Sequence, residues 1–331
     1  MRAVRYDGQN VFIDPRAAEP APREGEALVR PVRVGIGPAD LAVCRGLLPF
    51  KGVIGREFVG VVVRVEGDKD HPLTASRVIC DPLVIPEHDD LARRGLGAHA
   101  PDRQELGVHG RDGALAQRLT IPVRNLHAVP DAIDDDHAAL AVPLAEAIHL
   151  TRLVAVETKP YVTVVGDDAV ALLCAQLLAV RNASVRVLGS LPGRESRCEK
   201  WGIGWRQATD VGRRADQDVV LIVDPSDEAL DLALGLVRPC GRVVVGGGPL
   251  GSTGFRAAPT PGASIARLVE REARLIGARG GRVADALGAL ASMPGRLDLA
   301  GLITRRYRFD DAVAALRAAA EPEQVRVVVD L

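Results

Sequence analysis

Over residues 1–145 the apolar positions fall in short runs broken by Gly, Pro and charged turns: ALVRPVRVGIG, GREFVGVVVRVEG, SRVICDPLVIP and ALAQRLTIP. Such runs, rich in Val and Ile and bounded by turn residues, predict strands of an antiparallel β-rich domain. A different period follows in DDHAALAVPLAEAIHLTRLVAV, where Leu140, Leu144, Ile148 and then Leu150 or Thr151 recur at near-helical spacing. That stretch reads as the bridge to a second domain.

From about residue 146 apolar strands alternate with amphipathic helices: YVTVVG, ALLCAQLLAVRN, SVRVLG, DVVLIVD, EALDLALGLVRP, GRVVVGGG and REARLIGAR. This alternation predicts a parallel, doubly wound sheet with helices on its faces. After about residue 280 come two helical patterns, VADALGALASM and FDDAVAALRAAA, and a terminal strand, QVRVVVDL, suited to rejoin the first domain's sheet. The expected division is 1–145 with 280–331, and 146–279 between them.

Composition narrows the function classes. A chain of 331 residues with 47% hydrophobic and 26% charged residues can bury two cores. Lys+Arg of 42 against Asp+Glu of 43 leaves a net charge of -1, with no basic field to gather nucleic acid or an anionic membrane. No apolar run approaches a membrane span and the amino terminus lacks a signal-peptide core, so a cytoplasmic protein is expected. The five cysteines are isolated, which argues against a metal knuckle or a disulfide framework.

Two segments are specific. VGIGPADLAVCRG followed by VIGREFVGVV, and then LGVHGRDGALAQRLTIPVRNLHAVPD, resemble landmarks of the medium-chain dehydrogenase/reductase superfamily, in its zinc alcohol and polyol dehydrogenase branch. VVGDDAVALLCAQLLA, DVVLIVDPS, GRVVVGGG and REARLIGARGG follow in the same order, so the resemblance covers nearly the whole chain. It implies an α/β fold class: a GroES-like antiparallel β-rich domain plus a Rossmann dinucleotide-binding domain.

The resemblance also exposes losses. The family's catalytic-zinc ligand positions carry Gly37 (or its neighbour Ile36), Arg56 and Val142. None offers a metal donor, and a guanidinium repels a cation, so no zinc is expected. The structural-zinc positions fall on Pro86, Asp89, Ala92 and Ala100, and nearby Glu87, His88, Asp90 and His99 read as a solvated polar loop rather than a replacement site. Ala39 stands where the family has its proton-relay hydroxyl. The residue matching Asp40 orients a zinc-bound His in the family; with Arg56 in that place, a charge-assisted Asp40–Arg56 pair is expected, with Glu57 as a second carboxylate. Arg56 then either polarises a carbonyl substrate with a fixed charge or merely plugs an emptied metal pocket.

A dinucleotide turn of the form G-x-G-x-x-G would use Gly166, Asp168 and Ala171. The central residue is a carboxylate rather than glycine, and Asp167 adds a second beside it. Both suit a helix start, so capping competes with cofactor binding. The next strand ends at Gly189 and Ser190 without an acidic residue, and Arg194 and Arg197 follow, which favours NADP(H) over NAD(H) if a cofactor binds. Gly246, Gly247 and Gly248, and Arg279 with Gly280 and Gly281, are expected on the same ligand-binding edge of the sheet.

Two functions follow. One is a zinc-independent, NADP(H)-linked oxidoreductase acting on a small carbonyl or activated alkene, with Asp40, Arg56 and Glu57 at the reacting end. The other is a catalytically silent dehydrogenase homologue that keeps the fold as a binding or assembly partner, and Asp168 divides the two. A homodimer is implied by the resemblance, with GRVVVGGGPLG as the candidate edge; no nucleic acid or membrane partner is expected.

Overall fold

The computed structural model describes residues 1–154, 159–247 and 262–331, so Gly248 and the rest of GRVVVGGGPLG lie outside the described residues, as do the last two residues of the bridging helical stretch. The chain divides into two compact units. Met1–Val142, Arg282–Pro294 and Asp298–Leu331 form the first; Pro143–Gly281 and Gly295–Leu297 form the second.

In the first unit, Leu126–Ala128, Arg77–Cys80, Glu57–Val65, Glu26–Ile36, Arg326–Asp330 and Ile303–Arg308 lie side by side in a seven-stranded sheet that also takes in Leu119–Pro122. Two registers position the candidate site: Gly35 pairs with Glu57, and Ile36 pairs antiparallel with Val327. The terminal strand thus rejoins the first sheet, bringing Arg326 beside the start of helix Pro38–Cys44. Val34, Phe58, Val62, Val327 and Val329 share one buried cluster, consistent with alternate positions of each strand facing the core.

The stretch that would be a structural-zinc lobe is held by ordinary caps. Asp89 takes the amide hydrogens of Leu91 and Ala92 at 2.8 and 3.0 Å, starting helix Asp90–Arg93. Arg124 donates to the Ile85 carbonyl at 3.0 Å and pairs with Glu87 at 2.5 Å.

The second unit is a six-stranded parallel sheet in the order Gly204–Gln207, Ser184–Gly189, Tyr161–Val165, Gln217–Ile222, Val237–Val245, Arg274–Gly277. Val237–Val245 is an inner strand, so the expected dimer edge at GRVVVGGGPLG is corrected: among the described residues the outermost strand on that side is Arg274–Gly277. Helix Ala169–Val180 is buried from Ala169 to Leu178, as a helix apolar on all sides must be. The five cysteines are free thiols. Among the described residues, no helix is long and apolar enough to cross a membrane.

Candidate functional site

Asp40 is the third residue of helix Pro38–Cys44 and fully buried. Its Oδ2 accepts the Gly37 amide hydrogen at 2.9 Å; its Oδ1 accepts those of Gly55 and Arg56 at 3.0 and 3.2 Å. One carboxylate therefore staples the helix start to the turn before strand Glu57–Val65. Burial pushes its pKa up, opposed by the Gly37 hydrogen bond and the charges of Arg56 and Arg326.

The expected Asp40–Arg56 ion pair is not what forms. Asp40 holds the backbone of Arg56, while the guanidinium reaches Glu105, Nε to Oε1 at 2.6 Å, and Glu57 at 3.6 Å. Glu57 in turn lies 3.4 Å from Nη1 of Arg326, which donates to the Ile36 carbonyl at 2.9 Å. The physical reason is competition: three amide donors, two of them on a turn that Asp40 must close, saturate the carboxylate before a side chain can. The result is a buried chain of alternating charge, Glu105–Arg56–Glu57–Arg326.

Glu105 and Arg326 were missed in the sequence. A charge leading the buried run Arg326–Val329 needs a partner, and that signal could have found Arg326. Glu105 sits in the short strand Gln104–Leu106 with no pattern to mark it.

A zinc ion does not fit these residues. Gly37 and Val142 carry no donor atom and Arg56 is a cation, and the space beside Gly37 is occupied by the ends of Arg326 and Glu57, each 2.8 Å from where a Cβ would stand. Among the described residues, no group of three or more His, Cys, Asp or Glu side chains is placed to hold a metal. The thiol of Cys44, behind Asp40, is pushed up to about 12 by burial and by the Asp40 charge, far from a ligating thiolate.

In the second unit the cofactor candidates come to the carboxyl ends of the parallel strands. Gly166 has φ of +116°, a backbone state that favours glycine. Asp168 is the N-cap of helix Ala169–Val180, its Oδ1 accepting the Ala171 amide hydrogen at 2.8 Å. Asp167 reaches sideways to the neighbouring strand's loop, where its Oδ2 accepts the amide hydrogens of Ser190 and Leu191 at 2.9 and 2.8 Å. Burial pushes Asp167 up, against those two hydrogen bonds and the charge of Arg194.

Arg194 departs from its expected place. It is 1% exposed, with Nε donating to the Asp167 carbonyl at 3.2 Å and Nη1 to that of Pro192 at 3.0 Å. Buried beneath the turn, it is not presented to a ligand phosphate. Gly246 and Gly247 are required for packing: a Cβ would lie 2.2 Å from Leu150 Cδ2 at the first and 2.8 Å from Pro225 Cδ at the second. Arg279, half-buried, lies two residues past strand Arg274–Gly277, and a Cβ on Gly281 would meet the Ala145 carbonyl oxygen at 2.1 Å. For a dinucleotide the fit is divided: the Gly166 turn and the Asp167 carboxylate suit it, while Asp168 places a negative charge at the helix end that a pyrophosphate would share.

Residues 23–131 match the family described as Alcohol dehydrogenase GroES-like domain. An L-threonine 3-dehydrogenase of Chelativorans sp. (strain BNC1) is 27% identical, over 93% of this chain and 96% of the relative. A chain from Sinorhizobium meliloti 1021, described as a zinc-binding dehydrogenase bound to NADP, superposes with a TM-score of 0.88 at 22% identity, covering 100% of this chain and 99% of that one. The Escherichia coli CFT073 rspB alcohol dehydrogenase, solved with NADH, superposes with a TM-score of 0.87 at 21% identity, again over 100% and 99%. Residues 23–131 thus match a GroES-like domain, and with the sheet order the chain has the fold of these dehydrogenases and is similar in sequence to zinc-type alcohol dehydrogenase-like relatives.

Proposed function

We propose that the protein is a zinc-independent oxidoreductase that uses a nicotinamide dinucleotide to reduce a carbonyl or activated alkene. The observation that supports the zinc-independent part is the buried cluster itself: Arg56 is paired with Glu105 and Glu57, and Arg326 with Glu57, beside a Gly37 that offers no donor. The bound dinucleotide would supply the hydride. Arg56 stands at the reacting end in this reading, its charge balanced by Glu105 and Glu57, so it would act by orienting a polar N–H toward a carbonyl oxygen rather than as a net positive charge. Asp40 keeps that arm in place through the backbone.

The coenzyme reading rests on the Gly166 turn and on relatives solved with NADP and with NADH. The sequence argument for NADP(H) now stands on the missing acid of strand Ser184–Gly189 alone, because Arg194 is spent on carbonyls. A small-molecule substrate, a cytoplasmic location and a homodimer, through the edge Arg274–Gly277, complete the proposal.

A second reading, a catalytically silent homologue that binds partners, is favoured by Asp168, whose carboxylate takes a helix-end amide that a pyrophosphate would use. The test is a metal analysis of the purified protein followed by NADPH and NADH oxidation with aldehydes, ketones and enones, with and without chelator. Turnover that ignores the chelator supports the first reading. Stoichiometric zinc with chelator-sensitive turnover sinks the zinc-independent part. No turnover and no coenzyme binding, with binding restored in Asp168→Gly, supports the silent homologue.

A further inference from the structure

We infer that Asp167 sets the coenzyme choice of this protein, rejecting a 2′-phosphate and accepting the free ribose hydroxyls of NAD(H). The inference rests on the dinucleotide reading above and opposes the NADP(H) preference drawn from the sequence.

Proteins of this fold select between the two coenzymes at the loop after the second parallel strand: a carboxylate takes the ribose hydroxyls, or a basic residue accommodates the phosphate. That strand, Ser184–Gly189, ends without an acid. Asp167 supplies one from the adjacent turn. Its Oδ2 already holds the Ser190 and Leu191 amide hydrogens, the two backbone donors that a 2′-phosphate at this loop would otherwise use. Its Oδ1 accepts no hydrogen bond among the described residues, leaving that oxygen for a hydroxyl donor.

Gly189 makes the arrangement possible. A Cβ there would stand 2.1 Å from Oδ2 of Asp167, so any other residue would expel the carboxylate from its amides. Asp167 is itself only 6% exposed, a fixed group rather than a passing side chain. Arg194 offsets the carboxylate only in part and from a buried place, where Nε donates to the Asp167 carbonyl, and Nη1 of Arg197 donates to the Gly193 carbonyl at 2.8 Å. A phosphate dianion would meet like charge and spent donors, a combination that discriminates by repulsion as much as by attraction.

Calorimetric titration with NADH and with NADPH tests this in the full-length protein and in Asp167→Asn and Asp167→Ser. Asparagine keeps an acceptor oxygen for the two amides while removing the charge, so it separates selectivity from loss of the loop; thermal melts check that both variants fold. The expected result is NADH bound at least about 10-fold tighter than NADPH by the native protein, with the ratio falling about 10-fold or more in both variants. NADPH bound as tightly as NADH by the native protein, or an unchanged ratio in Asp167→Asn, overturns the assignment and leaves the oxidoreductase reading intact. Binding of neither coenzyme by any of the three proteins overturns the coenzyme reading itself, and the assignment with it.

Discussion

Cutting the buried charge chain at Arg56 should be among the most damaging single changes in the first unit. The Arg56 and Glu105 side chains are 7% and 6% exposed and meet at 2.6 Å. Arg56→Met strips Glu105 of this partner and leaves Glu57, 3.6 Å away, with Arg326 at 3.4 Å. Breaking one partner of a buried pair costs about 3–5 kcal/mol, because a desolvated charge is left uncompensated. Glu105→Leu should fall in the same range for the mirror reason. The double variant removes both charges together and should lie within about 2 kcal/mol of the native protein, giving a large favourable coupling in the double-mutant cycle. Urea unfolding measures all four proteins. Trp201 and Trp205 both sit in the second unit, so their fluorescence follows that unit while circular dichroism adds the first. Single variants that each cost under about 1 kcal/mol, or a double variant that costs their sum, would refute the reasoning that this is a desolvated, coupled pair.

Three further outcomes are expected. Asp168→Ala should destabilise helix Ala169–Val180 by about 1 kcal/mol and Asp168→Gly by only a few tenths, because glycine is itself a tolerable N-cap; equal losses on urea unfolding would count against the cap. Gly55→Ala should cost about 2 kcal/mol or more, since φ is +108° and the new Cβ would lie 2.7 Å from the Leu115 nitrogen; a melting temperature within a degree of native would exclude this. Asp136 is held below the usual carboxylate range by its hydrogen bond to Arg306, at 2.7 Å, and by the charge of Arg33. An acid whose pKa is lowered on folding stabilises the native state above its unfolded pKa and loses that contribution as pH falls through the folded one. The gap between native protein and Asp136→Asn, about 1 kcal/mol at neutral pH, should therefore close below about pH 4; a gap that persists to the acid limit would contradict the ion pair.

The parallel sheet was legible because strands such as Tyr161–Val165 and Gln217–Ile222 carry mostly apolar, β-branched runs, Val162–Val165 around Thr163 and Val219–Ile222, and their spacing leaves room for a helix between. That the chain closes on a buried strand at Arg326–Asp330 was legible for the same reason. Strand order was not: GRVVVGGG reads equally well at an edge or inside, since periodicity records burial of faces and says nothing of which strand lies beside which. Asp168 as a helix cap followed from chemistry local in sequence, three residues from its partner amide. Asp167 could not be placed that way. Its partners lie 23 and 24 residues on, and only the pairing of two parallel strands brings them within reach.

The same distinction applies to the pocket around Gly37. That Gly37, Arg56 and Val142 offer no metal donor is visible residue by residue, but the groups that surround them come from distant segments: Glu105 from 49 residues beyond Arg56, and Arg326 from the far end of the chain. At Gly37 there is no hole, because the ends of Arg326 and Glu57 close over it. A cysteine placed at Gly37 would have to displace those two charged groups, and a histidine placed at Arg56 would strand Glu105 without its 2.6 Å partner. Each such change incurs the cost of an unpaired buried charge before a metal could offset it, so Arg56, Glu57, Glu105 and Arg326 are better understood as one interlocked set than as separate residues.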